Sequence, residues 1–126
     1  MIILDSSFLI ASLNTRDDLH AKAVALNQDI KSGKFGEALI PIEVIIEVST
    51  YIARKLGNLN QARDYVNFLA SNYKVVFCDW EVFEKSRLLY CHSNESLSLV
   101  DCIIINHAKK LHSTVASFDS KLLEKL

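Results

Sequence analysis

The chain predicts an α/β domain built on a central, mainly parallel sheet. Two observations carry that expectation. Four short runs, residues 2–4, 38–40, 74–78 and 114–117, are bounded by turn or cap residues and read as strands. Between them lie stretches long enough for two helices each, with apolar residues at helical spacing. Strands that carry no alternating polar face, separated by helical segments, are covered on both sides and run parallel.

In chain order, residues 2–4 stop at Asp5-Ser6-Ser7, and Phe8-Leu9-Ile10-Ala11 follows, so a helix opens at the Asp/Ser cluster. Residues 14–18 form a polar turn. Leu19, Ala23, Leu26 and Ile30 then recur on one helical face until Ser32-Gly33-Lys34 ends it. Pro41 follows the second strand and suits the start of a helix over 42–56. There Ile45, Val48, Ile52 and Leu56 form one face, and Glu43, Glu47, Thr50 and Arg54 another. Gly57-Asn58 breaks it. Ala62, Tyr65, Val66 and Leu69 mark the next helix over 59–71. Residues 74–78, rich in β-branched and aromatic side chains, form the clearest strand. Asp79 caps a helix from Trp80 to about Tyr90, and residues 92–96 are a polar loop.

The stretch 97–111 organises the rest. Ser98 and Asp101 stand three apart, as in a capping box with Asp in place of Glu. Below Asp101 the same stripe carries Ile104, Ile105, Ala108 and Leu111, and Lys109 and Lys110 close the last turn, where the helix dipole favours cations. Asp101 therefore heads an apolar stripe at the edge of the core, where an ionised carboxylate needs a partner. The last strand, 114–117, precedes a short terminal helix over 119–126.

Length, 126 residues, suits one domain over 1–126, and three glycines and one proline argue against a disordered chain. A net charge of -1 shows no global basic field, so any surface for a polyanion must be local. Cys78, Cys91 and Cys102 form no CxxC pair and are expected to be buried, reduced thiols of a cytoplasmic protein. No leader is expected at Met1, and no apolar run approaches the roughly 20 residues of a membrane helix.

Parallel strands with intervening helices collect the helix N-termini at the strand C-terminal edge, where open α/β sheets place their sites. Asp5, Glu47, Asp101 and Asp119 all fall at that edge on this topology. Like charges so close require neutralisation, and hard divalent cations such as Mg²⁺ or Mn²⁺ provide it with oxygen ligands. Two such ions about 3.5–4 Å apart can activate water and stabilise a leaving oxygen in phosphodiester cleavage. Plainer roles exist for each acid: helix caps for Asp5, Asp101 and Asp119, and a solvated surface for Glu47. Position alone does not separate Glu47 from Glu43, one turn earlier on the same face. The four histidines have no paired-ligand spacing. Ser6, Ser7, Ser98 and Ser117 lack a nucleophile signature and fit better as hydroxyls that orient carboxylates. No GxGxxG or P-loop pattern is present.

Four segments together resemble the motifs of PIN-domain ribonucleases, with the VapC-type toxins of prokaryotic toxin–antitoxin systems the nearest likeness. They are Met1-Ile-Ile-Leu-Asp-Ser-Ser-Phe-Leu-Ile-Ala, Ile42-Glu-Val-Ile-Ile-Glu-Val, Leu97-Ser-Leu-Val-Asp-Cys-Ile-Ile and Ala116-Ser-Phe-Asp-Ser. The resemblance spans nearly the whole chain in the family's order. It implies a PIN-like three-layer sandwich of four to five short strands with helices on both faces. It also implies an Mg²⁺- or Mn²⁺-dependent endoribonuclease acting on RNA. Asp5, Glu47 and Asp101 would be the core metal ligands and Asp119 a further one acting through water, with Glu47 favoured over Glu43. Ser6 and Ser117 take the places of hydroxyl residues near the metal, and Ser98 would hold Asp101 in a fixed rotamer. A homodimer and a cognate antitoxin entering the site groove complete the expectation.

Two departures accompany it. The chain stops just after the fourth motif, where a fifth strand is common, which would leave the sheet edge near Asp119 open or differently covered. The charge is near neutral, and Arg54, Lys55, Lys109, Lys110 and Lys121 are the cations available near the site to meet phosphates, although a solvated surface would explain each singly. Two rival readings are a PIN-like binding scaffold whose acidic edge takes an Arg/Lys-rich segment, and a DNA-directed nuclease of the flap-endonuclease type. Four mutually repelling acids argue against the scaffold, and the small size argues against the second.

Overall fold

In the computed structural model, which describes residues 1–126, four parallel strands form one sheet in the order β3-β2-β1-β4. They are β1 (Ile2–Leu4), β2 (Ala38–Pro41), β3 (Lys74–Val76) and β4 (Thr114–Ala116). The helices are α1 (Ser6–Leu13), α2 (His20–Lys31), α3 (Ile42–Arg54), α4 (Leu59–Asn72), α5 (Trp80–His92), α6 (Leu99–Leu111) and α7 (Ser120–Leu123). From β1 the chain steps outward through β2 to β3, then returns across the sheet to place β4 on the other side of β1. Right-handed crossovers therefore put α1–α4 on one face and α5–α6 on the other. The packing of α1 on α2 and α3, of α3 on α4, and of α5 on α6 agrees. The strand order reverses between β1 and β4, and the crevice at their C-terminal ends is the place where such sheets bind ligands.

β1 is the centre of the core. Ile2, Ile3 and Leu4 are all buried, as a strand covered on both faces requires. On one side Val44, Val48 and Ile52 of α3 pack into the same cluster, on the other Cys102, Ile104, Ile105 and Ala108 of α6. Six of the thirteen residues of α6 are buried, so this helix behaves as a core element with one wet end. Ser86, fully buried on α5, fastens it there. Its Oγ donates to the Val82 carbonyl at 2.6 Å, approaches the Cys102 carbonyl at 3.2 Å, and accepts from Asn106 Nδ2 at 3.1 Å.

The expected elements are present, with shorter ends in four places. β3 stops at Val76 because its partner β2 stops at Pro41, which has no N–H to extend a ladder and leads directly into α3. Phe77 then leaves the sheet and is exposed, with Cys78 half-buried beyond it. β4 ends at Ala116, opposite Leu4, because β1 ends there. α3 ends at Arg54, short of the expected 56, ahead of Gly57 in the left-handed region. α7 is a single turn with Asp119 as its cap, in place of a helix over 119–126. Of the cysteines only Cys102 is buried; Cys91 is exposed, so the expectation of three buried thiols holds for one. No helix is long and apolar enough to cross a membrane.

Ile104, in the middle of α6, is fully buried in the core cluster that also holds β1. Truncation by Ile104→Ala is expected to destabilise the fold by about 2–5 kcal/mol, the range for buried aliphatic-to-alanine changes, read as a fall in the urea midpoint.

Candidate active site at the carboxyl edge of the sheet

Asp5 follows β1 directly and occupies the N-cap position of α1, yet its side chain makes no capping bond. It is 2% exposed. Its Oδ2 instead accepts from the hydroxyls of Ser7 and Ser117, each at 2.7 Å. Ser7 comes from α1 and Ser117 from the residue after β4, so one carboxylate oxygen joins the ends of two neighbouring strands. The same hydroxyls also accept main-chain N–H groups, Ser7 from Phe118 at 2.9 Å and Ser117 from Asp119 at 3.0 Å. The chain leaving β4 is thereby oriented towards Asp119.

The other acids are held just as specifically. Glu47, in the second turn of α3, accepts from Ser6 Oγ at 2.5 Å. Asp101 completes a capping box: Ser98 N–H donates to Asp101 Oδ2 at 2.9 Å, and Asp101 N–H donates to Ser98 Oγ at 3.0 Å. Asp119 caps α7 through Oδ1, which accepts from the N–H groups of Lys121 at 3.0 Å and Leu122 at 3.4 Å. In every case a single carboxylate oxygen is engaged. Asp5 Oδ1, Glu47 Oε2, Asp101 Oδ1 and Asp119 Oδ2 accept no hydrogen bond.

The charges of these acids reach one another. Burial raises the Glu47 carboxyl above its ordinary value; the Ser6 hydroxyl opposes the shift, and the charges of Asp5 and Asp101 add to it. Burial likewise raises Asp101, opposed by the Ser98 amide and hydroxyl and reinforced by Asp5 and Asp119. No lysine or arginine offsets either shift, and the ion pairs of the chain all lie elsewhere, Lys110–Asp79 at 2.8 Å among them. Lys110, one of the cations expected near the site, is thus committed to Asp79.

Glu43 stands apart. Its Oε2 is buried without a partner, and it borders a separate cavity with Cys78, Trp80, Phe83 and Ile103. The groups that feel its charge are Cys78 and His107, whereas Glu47 feels Asp5 and Asp101. The two glutamates, equivalent by position on the helix, therefore face different surroundings. By sequence Ser7 does not stand out from the other hydroxyls; in the fold it is the hub between Asp5 and β4, and its sole signal is a Ser-Ser pair directly after a strand-ending Asp.

Four carboxylates with one free oxygen each, and no cation of the protein to neutralise them, suit a hard divalent ion in both charge and donor type. They are not drawn together in advance. No three His, Cys, Asp or Glu side chains converge on one ion-sized position. The serine bonds to Asp5 and Glu47 engage one oxygen of each carboxylate and leave the other available.

The pKa directions predict a stability change. Between the ordinary carboxyl value and the raised one, folded protein binds more protons than unfolded protein, so stability falls as pH rises through that window. Glu47→Gln keeps an acceptor for Ser6 and removes the charge. In EDTA at pH 7 it is expected to unfold at higher urea than the parent protein, with the advantage shrinking as pH falls through the carboxylate range.

Comparisons with known proteins agree with this architecture. The PIN domain family matches residues 2–125. No curated protein matches. Among solved structures, VapC20 of Mycobacterium tuberculosis, a sarcin–ricin-loop-cleaving toxin, superposes with a TM-score of 0.82 at 22% identity, covering 98% of this chain and 94% of its own. A toxin–antitoxin complex from Klebsiella pneumoniae gives 0.66 at 19% identity over 96% and 88% of the two chains. FitAcB from Neisseria gonorrhoeae gives 0.69 at 16% identity over 99% and 92%. At these identities the likeness is one of fold, and the family match over nearly the entire length decides the assignment: the chain belongs to the PIN domain family.

Proposed function

We propose that this chain is a divalent-metal-dependent endoribonuclease, residues 1–126 acting as one catalytic domain, and the toxin of a toxin–antitoxin pair. The observation that carries the reading is the set of four acids at the β1/β4 crevice, each anchored by one oxygen and free at the other, with no internal cation to balance them. Asp5, Glu47 and Asp101 would hold Mg²⁺ or Mn²⁺, and Asp119, at the rim, would reach it through water. When bound, such an ion supplies a water of lowered pKa and neutralises charge on the departing oxygen. The protein's own part is positional. Ser7 and Ser117 fix the Asp5 carboxylate, Ser6 fixes that of Glu47, and Ser98 holds Asp101 at the mouth of the crevice.

The partner and setting follow from the same reading. Relatives of this fold occur as toxins and in toxin–antitoxin complexes, which supports an antitoxin whose segment covers the acidic edge. The exposed rings of Phe77 and Trp80 offer a homodimer an apolar face. Three unpaired thiols suit the cytoplasm.

Incubation with a mixed tRNA, rRNA and mRNA pool tests the activity. Cleavage is expected with Mg²⁺ or Mn²⁺, and none in EDTA. Asp101→Asn and Asp5→Asn are expected to lose at least about 100-fold in rate while remaining folded, and Ser117→Ala about 10–100-fold, the usual cost of losing a group that orients a metal ligand. Calorimetric titration with Mn²⁺ should show a site in the parent protein that vanishes in Asp5→Asn. An Asp101→Asn protein that cleaves at the parent rate sinks the assignment.

A further inference from the structure

A groove between α3 and α4 has no role in the site described above, and its chemistry is the reverse of that site's. It encloses about 560 Å³. Ala53, Leu59, Ala62 and Val66 supply its apolar lining, with Arg54 on the α3 side and Arg63 on the α4 side. No carboxylate lines it. Neither arginine takes part in an ion pair, although Arg87, elsewhere on the surface, is bonded to Glu84 through both Nε and Nη2. Two guanidinium groups without an ion pair, beside an apolar lining, complement a ligand that carries both phosphates and flat or apolar parts.

The groove is also aligned with the acids. Glu47, Thr50 and Arg54 lie at i, i+3 and i+7 on one stripe of α3, so Arg54 follows Glu47 by two turns, about 10 Å along the axis. Arg63 reaches the groove from the second turn of α4, the helix packed against α3. A strand lying in the groove would therefore run on to the acidic edge within a few nucleotides.

We propose that the α3–α4 groove is an RNA-backbone site, in which Arg54 and Arg63 each contact a phosphate a few nucleotides from the bond that is cut. The proposal rests on the ribonuclease reading for its choice of ligand. Its affinity is electrostatic and independent of the scissile chemistry. Phosphate contacts of this kind position a strand without reading its sequence.

Fluorescence anisotropy of a fluorescein-labelled 12-nucleotide single-stranded RNA tests it, using the full chain carrying Asp101→Asn in EDTA so that the strand stays intact. Adding Arg54→Ala and Arg63→Ala together is expected to weaken binding at least about 10-fold. It should also flatten the slope of log affinity against log salt by about 1.4, two phosphates at roughly 0.7 each for a single strand. The Arg54→Lys/Arg63→Lys protein should keep most of the slope, since the charges remain. An unchanged affinity and slope in the alanine protein overturns the proposal, as does absence of RNA binding by the Asp101→Asn chain. Arginine-dependent binding of an oligoglutamate peptide that exceeds binding of the RNA overturns it in favour of an acidic protein segment. Failure of the nuclease reading looks different: the parent chain would cleave no RNA with metal, while the arginine-dependent salt slope persisted.

Discussion

The structure depends on the burial of one carboxylate. Asp5 sits at the end of the central strand, 2% exposed, where an ion stripped of water is costly unless hydrogen-bonded. Ser7 and Ser117 supply those bonds, and because they belong to α1 and to the chain after β4, satisfying Asp5 also fixes the β1/β4 crevice. The consequences spread outward. The Phe118 and Asp119 amides are spent on the same two hydroxyls, so the backbone turns out of β4 in the one direction that lets Asp119 cap α7. A buried polar network of this kind rigidifies what it connects. Here it connects the reversal point of the sheet.

Capping and chemistry do not compete at this edge. A cap consumes one carboxylate oxygen, and Asp101 and Asp119 each keep the second. The cap in turn confines the side chain to few rotamers, which reduces the entropy lost when a ligand is taken up. The same holds for Glu47, tied to Ser6 across the gap between α1 and α3. Helix starts and hydroxyls thus do the work that lysines would do in a structural ion-pair cluster, with the difference that they leave the negative charge in place.

What was legible in the chain divides along physical lines. Local patterns carried the strands, the helices, and the capping box of Ser98 and Asp101, because those depend on residues three or four apart. The sheet edge itself was legible through topology, since parallel strands oblige helix starts to gather there. Element ends were less so. β3 is cut short by Pro41 in a different segment, and β4 by the length of β1, both consequences of pairing. The hub role of Ser7, 110 residues from Ser117, is a through-space fact with no spacing to betray it. Glu43 and Glu47 share a helix face, and only the fold separates a glutamate that meets Asp5 from one that meets Cys78 and His107. Arg63 carried no signal at all, because its partner in the groove, Arg54, is on another helix.

Net charge misleads for the same reason. A total of -1 suggests a neutral surface, yet the charges are sorted. Six ion pairs cancel much of the charge away from the crevice, the crevice keeps four acids without a counterion, and the α3–α4 groove keeps two arginines without an acid. Burial first, and the like charges of neighbouring acids second, raise the carboxyls of Glu47 and Asp101, which costs stability where both are ionised. Folds tolerate such a cost where a ligand of opposite charge recovers it on binding. On the proposed reading, an acidic edge that favours a cation, two turns along α3 from a groove with two unpaired arginines, suits a polyanion whose cleavage needs a metal.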